Sequence, residues 1–311
     1  MTTTVDLAPL LHRVGAGALD WLDAHREQFR AGDPALTPPD LVKSRFKQIG
    51  ELGLVGRILI REGVAGSQQA VQIENLLDFV WREGLHGGTL LNWLQRDEPF
   101  SPIPMELYVP FRELGYRNPA LEQHIRLVSR TTSWQVLEGP PNRRLGLSRF
   151  EARAGLTPGT SAEQAAAHTW LGHTPEPWSA DSHMAYAVTH TVFHLTDWGR
   201  RPERLPAALG EYLRLWLPAW TDEWAAARHW DLLGELLVVD ACLPVPALDP
   251  GVWQRYAAAQ QPEGAMPARG AMPEGDTEEV FEAVHHPTIV ALFASTMAVS
   301  RAMSALSPPG P

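Results

Sequence analysis

The sequence predicts an all-α protein: a single large helical domain of antiparallel helix pairs, arranged as an α/α toroid or a layered helical array. Three observations carry that expectation. Apolar residues recur three and four apart along most of the chain. Glycines stand where such runs stop. No alternating strand pattern and no Asn-Gly or Asp-Gly hairpin signal interrupts them. No composition shift marks a boundary, so residues 1–311 read as one unit.

Taken in order, Leu10–Phe29 and Leu41–Arg61 are the first amphipathic runs, the second closed by Gly63. Gln68–Arg82 follows and stops at Gly84, and His86-Gly87-Gly88 reads as a tight turn or helix break, because glycine admits left-handed backbone. Pro104–Pro110 is the one strand candidate. Ala120–Ser129 returns to helical spacing, Pro140–Ser148 reads as a Pro/Arg/Gly loop, and Ala162–Leu171 as a helix. Ser182–Trp198 has Asp181 or Ser182 suited to its N-cap and Gly199 to the position after its end. Glu203–Leu217 and Ala219–Leu243 flank Pro218, where a helix must kink or restart. Pro262–Asp276 repeats a phrase, Gly264-Ala265-Met266-Pro267 and then Gly270-Ala271-Met272-Pro273, and reads as a mobile linker or as a lid over a pocket. Pro287 suits the first position of a last helix, Pro287–Leu306, with His286 as its N-cap. Ser307–Pro311 is expected to be a disordered tail.

Composition removes several chemistries. One cysteine, Cys242, excludes an internal disulfide and a Cys-built zinc or iron–sulfur site, and it lies in an apolar run with no basic neighbour to activate a thiolate. Two lysines, Lys43 and Lys47, leave little room for Schiff-base chemistry with pyridoxal phosphate, and neither sits in a nucleotide-binding phosphate loop. There is no Gly-x-Ser-x-Gly elbow and no Asp-Asp-x-x-Asp motif. The formal net charge of −10, with no basic stripe beyond the pair Arg143–Arg144, argues against nucleic acid or an anionic membrane as partner. No uncharged apolar run of 18 residues and no signal peptide at Met1–Val5 is seen, so a cytoplasmic protein is expected. Oligomeric state is left open.

The informative segment is Ser182–Trp198. Five of the 12 histidines fall between His168 and His194. At helical spacing His183, Tyr186, His190, His194 and Asp197 share a sector of about 80°, opposite Ala185, Val188, Val192 and Leu195. The stripe holds no Arg, Glu or Gln, as a solvated face here would. Asp197 in the last turn opposes the helix dipole and calls for a compensating cation: a metal, an Arg such as Arg200 or Arg201, or a protonated His. Three readings follow. The stripe is structural; or His190, His194 and Asp197 form a facial ligand set for zinc or iron; or Asp197 orients His194 while His190 moves a proton.

Partners for the stripe come from elsewhere. Asp240, amid Leu236–Leu243, is either at a rim or buried with a partner. Asp231 and Glu235, four apart, are the alternative acids or a solvated pair. His286 would offer a further donor at a helix start. Trp220 and Trp224, in the series Trp216, Trp220, Trp224, are core residues or line a cavity for a greasy or cationic ligand.

The segment from Tyr186 to Gly199, with Thr189-His190, Leu195-Thr196-Asp197 and the aromatic-glycine pair Trp198-Gly199, resembles an uncharacterised actinobacterial family of helical proteins. His286-Pro287-Thr288-Ile289-Val290-Ala291 resembles its second signature, with Pro287 where a Thr is expected. The resemblance implies the helical fold, a shared importance for His190, Asp197 and His286, and a setting in small-molecule or modified-peptide biosynthesis. It implies no reaction.

Together these readings point to an enzyme of specialised metabolism acting on an apolar small molecule or peptide, by acid–base or metal-assisted chemistry such as cyclisation or isomerisation. His190, His194, Asp197, Asp240 and His286 would be catalytic, and His183, Tyr186, Trp220 and Trp224 would bind substrate. The alternative is a non-catalytic helical binding or scaffold protein with a buried His/Asp network.

Overall fold

The computed structural model describes residues 4–32, 39–63 and 65–306. Among them are fourteen α-helices and no strand: α1 Thr4–Ala24, α2 Pro39–Glu62, α3 Gln68–Phe79, α4 Thr89–Asp97, α5 Ile103–Glu113, α6 Pro119–Val128, α7 Thr132–Gln135, α8 Pro141–Ala154, α9 Ala162–Ala167, α10 Ser182–Leu195, α11 Ala207–Ala226, α12 Trp230–Cys242, α13 Pro250–Ala257 and α14 Thr277–Leu306. The fold is all-α.

Six helices close a circuit in which each packs on the next: α2, α5, α8, α10, α12, α14 and back to α2. Helices α1, α3 and α11 pack on α14, α2 and α12. All of α12 is buried, and so is most of α14. By composition Thr277–Ser304 is apolar enough to cross a membrane, but 72% of its most apolar window lies inside the fold, as in a core helix. Each aliphatic side chain fully removed from water contributes about 1.5–3 kcal/mol. The acids Asp231, Glu235 and Asp240 share that setting on α12 and must find partners.

Four elements differ from the sequence expectation. Pro104–Pro110 is not a strand; it lies within α5, where Pro104 occupies the first turn and the continuous buried run Leu107–Phe111 obscures the amphipathic period. Pro140–Ser148 is not a loop; it is the start of α8, opened by Pro141 and closed by left-handed Gly155, on a helix too polar to show a core stripe. Helix α11 runs through Pro218, and the break falls instead at Ala227–His229, where Arg228 has φ 53°. Helix α14 starts ten residues before Pro287. Asp276 accepts the N–H groups of Glu278 and Glu279 while Glu279 Oε2 accepts that of Asp276, a reciprocal cap, and Pro287 is carried mid-helix. His286 is therefore not an N-cap.

The stretch Pro262–Asp276 is pinned rather than free. Ala265 and Met266 are buried, Met266 N–H donates to Thr288 Oγ1, and the carbonyls of Ala268 and Gly270 accept from Asp231 N–H and Trp230 Nε1. The tail Ser307–Pro311 and residues 1–3 lie outside the described residues.

Candidate functional site

A cavity of about 740 Å³ opens between α2, α4, α5, α8 and α10. Phe46, Leu54, Leu107, Phe150 and Trp198 give it apolar walls, and Glu51, Asn142, His190 and His194 give it a polar end. Its cations are paired: Lys43 with Glu98, Lys47 with Glu51, and Arg143 with Glu106. The wall thus offers no spare positive charge.

Behind the polar end lies a cluster drawn from four helices. His286 on α14 has Nδ1 3.0 Å from Glu51 Oε2 of α2, and Nε2 3.5 Å from Asp231 Oδ1 and 3.6 Å from Glu235 Oε1 of α12. Burial pulls the imidazole pKa down, but the carboxylates of Glu51, Glu235 and Asp231 outweigh it and hold His286 well above the ordinary histidine range. The surrounding carboxylates thus favour its imidazolium form. The carboxyls of Glu51 and Glu235, which burial would raise, are kept below their usual value, chiefly by His286. Asp231 moves the other way: burial, with Glu235 adding to it, exceeds the help from His286. Helix α10 supplies two hydroxyls, Tyr186 donating to Asp231 Oδ2 and Thr189 donating to Glu235 Oε2. Burial beside Asp231 raises the Tyr186 phenol far above its normal range, so it stays a donor.

His190 joins this cluster to the cavity. Its side chain is 52% exposed, and Nε2 lies 3.9 Å from Glu235 Oε2. One turn on, His194 lines the same cavity in a different setting. Burial, then the charges of His190, Arg143, Arg149 and Arg153, push it down to about 3, so it is neutral. Its Nδ1 is buried without a partner. A Cβ on Gly146 would fall 2.8 Å from Nε2, so glycine at that position of α8 keeps the edge of the ring clear.

The segment after α10 gives the run Asp197-Trp198-Gly199 a structural role. The helix ends at Leu195, and Asp197, Trp198 and Gly199 are left-handed with φ 51°, 56° and 75°. A tryptophan in that region is strained by about 1–3 kcal/mol. Three contacts hold it: Trp198 N–H donates to Phe193 O, Gly199 N–H to Thr196 Oγ1, and the Arg61 guanidinium donates to the carbonyls of Asp197 and Trp198. The turn swings Trp198 into the cavity wall beside His194, with ring centroids 5.7 Å apart. Arg61, itself paired with Glu62, thus binds the carbonyls just past the helix end.

Several sequence-based assignments change. Asp197 leaves the helical stripe at this turn, and its carboxylate bears on Arg57 and Arg149. His190, His194 and Asp197 do not assemble as ligands; among the described residues no group of three His, Cys, Asp or Glu side chains is placed to hold a metal ion. Asp240 lies away from the cluster, its two oxygens accepting the N–H groups of Ala247 and Leu248. Trp220 donates to Pro177 O in the core, and Trp224 packs on His229; neither lines the His190 cavity. His183 is exposed, and of the proposed substrate-binding residues Tyr186 alone reaches the cluster, as a ligand of Asp231.

Sequence reasoning missed Glu51 and undervalued Asp231 and Glu235. A signal for the last two was present: with both neighbouring turns apolar, α12 has no polar face on which a solvated pair would lie.

No curated protein and no solved structure matches the chain. One family match covers residues 15–296, which takes in every residue of the cavity and of the His286 cluster. By that match, the chain belongs to the family described as a domain of unknown function, DUF6895.

Proposed function

We propose that the protein is an enzyme that moves a proton on an apolar small molecule or peptide-like substrate held in the cavity. His190 is the acid–base group. When it takes a proton, the adjacent Glu235 carboxylate stabilises the imidazolium, and Glu235 is itself kept ionised by His286 and oriented by Thr189. His194 is the complement: a neutral imidazole that hydrogen-bonds the substrate atom on which negative charge develops, without competing for the proton. Two like groups set apart by environment are a recurring way to divide acid–base roles. The observation that carries the reading is this pairing on neighbouring turns of α10, one imidazole backed by a carboxylate and the other not, both on one cavity. The apolar walls favour an isomerisation or cyclisation of a greasy substrate over transfer of a highly charged group.

A non-catalytic binding protein is the second reading. It is favoured by one observation: three carboxylates surround His286 within ion-pair distance, as in a network that only ties α2, α12 and α14 together.

The test is to incubate the protein with a metabolite extract of its source cells in heavy water and follow masses with time. The enzyme reading expects compounds that are consumed or gain deuterium with wild type, not with His190→Gln, and still with His183→Gln. Compounds retained by the protein but chemically unchanged, equally with both variants, would establish the binding reading instead.

A further inference from the structure

We propose that a second cavity, at the other end of α12 from His286, is a binding site for an aliphatic carboxylic acid. It has a volume of about 570 Å³ and lies between α11, the end of α12, the segment 243–249 and α13. That size suits a small-molecule ligand. Its floor is apolar, formed by Leu217, Leu237, Leu243 and Val252, all buried.

The wall is rigid before any ligand arrives. Asp240 reaches out of α12 to accept from Ala247 N–H at 2.9 Å and Leu248 N–H at 2.8 Å, and Leu248 is held left-handed at φ 47°. From the other side the Arg301 guanidinium donates to the carbonyls of Leu243 and Pro244. A loop fixed in this way loses little entropy on binding.

The charges around the rim decide what fits. Asp222 is paired with Arg255 at 2.7 Å. Asp249 accepts the N–H groups of Gly251 and Val252 at the start of α13, and Asp240 is committed to its own two amides. The remaining charged group on the lining, Arg214, is exposed and makes no ion pair among the described residues. A guanidinium left over at the edge of an apolar groove matches a carboxylate in fork geometry, with the hydrocarbon chain lying on the leucine floor. The site is separate from the His190 cavity and does not depend on its function.

The experiment is calorimetric titration of the full chain with sodium decanoate, with decylamine in parallel. Saturable one-to-one binding of decanoate is expected. Arg214→Glu should weaken it by about tenfold or more, the loss of one charge-assisted contact. Ala219→Trp, placed at an exposed position of α11 that borders the groove, should abolish it. Ile103→Trp, which narrows the first cavity instead, should leave it intact. Both substitutions in the α11 groove are at exposed positions, and thermal melts establish that the variants fold. The proposal is overturned if decanoate gives no saturable heat, if decylamine binds as tightly, if Arg214→Glu matches wild type, or if Ile103→Trp abolishes binding while Ala219→Trp does not.

Discussion

At the start of α12, Asp231 and Glu235 face other ionisable side chains; at its end, Asp240 faces two backbone amides. All three acids are buried on one helix, yet they have opposite consequences. Backbone amides cannot give up or accept a proton, so Asp240 is fixed in one role, holding a loop. The partners of Asp231 and Glu235 are a histidine, a tyrosine and a threonine next to the His190 cavity, so two of those partners can themselves exchange a proton. The partner, rather than burial alone, separates a structural acid from one suited to chemistry.

The largest effect expected from breaking this contrast is at His286. His286→Ala leaves Glu51, Asp231 and Glu235 buried around a lost cation and should destabilise the fold by about 3–5 kcal/mol in chemical denaturation. The sign with pH follows from its raised pKa. The stabilisation is full below the ordinary histidine range and is lost as pH rises through the raised folded value, so the gap between wild type and variant should close in alkaline solution.

Glu235→Gln keeps the shape and removes the charge behind His190. On a substrate found by metabolite profiling, it should lower turnover by about a hundredfold, within the span of general acid–base catalysis. A variant that turns over normally would return Glu235 to a purely structural role. Asp240→Ala, at the other end of the helix, should lower stability by about 1–3 kcal/mol by stranding two amides, while the pH profile of His190-dependent turnover keeps its wild-type shape.

An effect read only in acid belongs to His194. Its pKa is depressed to about 3, so between the ordinary value and that figure the unfolded chain holds a proton the folded one does not. Stability should therefore fall with acidification across that window, by up to about 1.4 kcal/mol per pH unit. His194→Gln should flatten the slope.

Most of this architecture was legible in the sequence where periodicity was strong. Ser182–Trp198, Gln68–Arg82 and Leu41–Arg61 follow from three- and four-residue spacing and from their glycine stops. What escaped were helices without a stripe. In α5 an unbroken buried run from Leu107 to Phe111 hid the period, and in α8 polar residues on most sides did the same. The cost to the site was real, because α8 carries Asn142, Gly146 and Phe150, and α5 carries Leu107. His190, His194, Tyr186 and His286 were recognisable by residue type and spacing on one helix or by a local motif. Glu51 was not, since only the packing of α2 on α14, far away in sequence, brings it to His286. Pro287 misled for a physical reason: its preference for a helix start competes with the stronger cap at Asp276, and the cap prevails.

Two imidazoles with opposite charge states flank the His190 site. Carbon-13 and nitrogen-15 NMR of histidine-labelled protein, titrated between about pH 5 and 8, reads both directly, with His286→Gln and His194→Gln to assign the signals. His286 is expected to stay a doubly protonated imidazolium across the range and His194 a neutral tautomer. A neutral His286 at pH about 7, or a His194 that titrates near the ordinary value of about 6.5, would contradict that pairing of charge states.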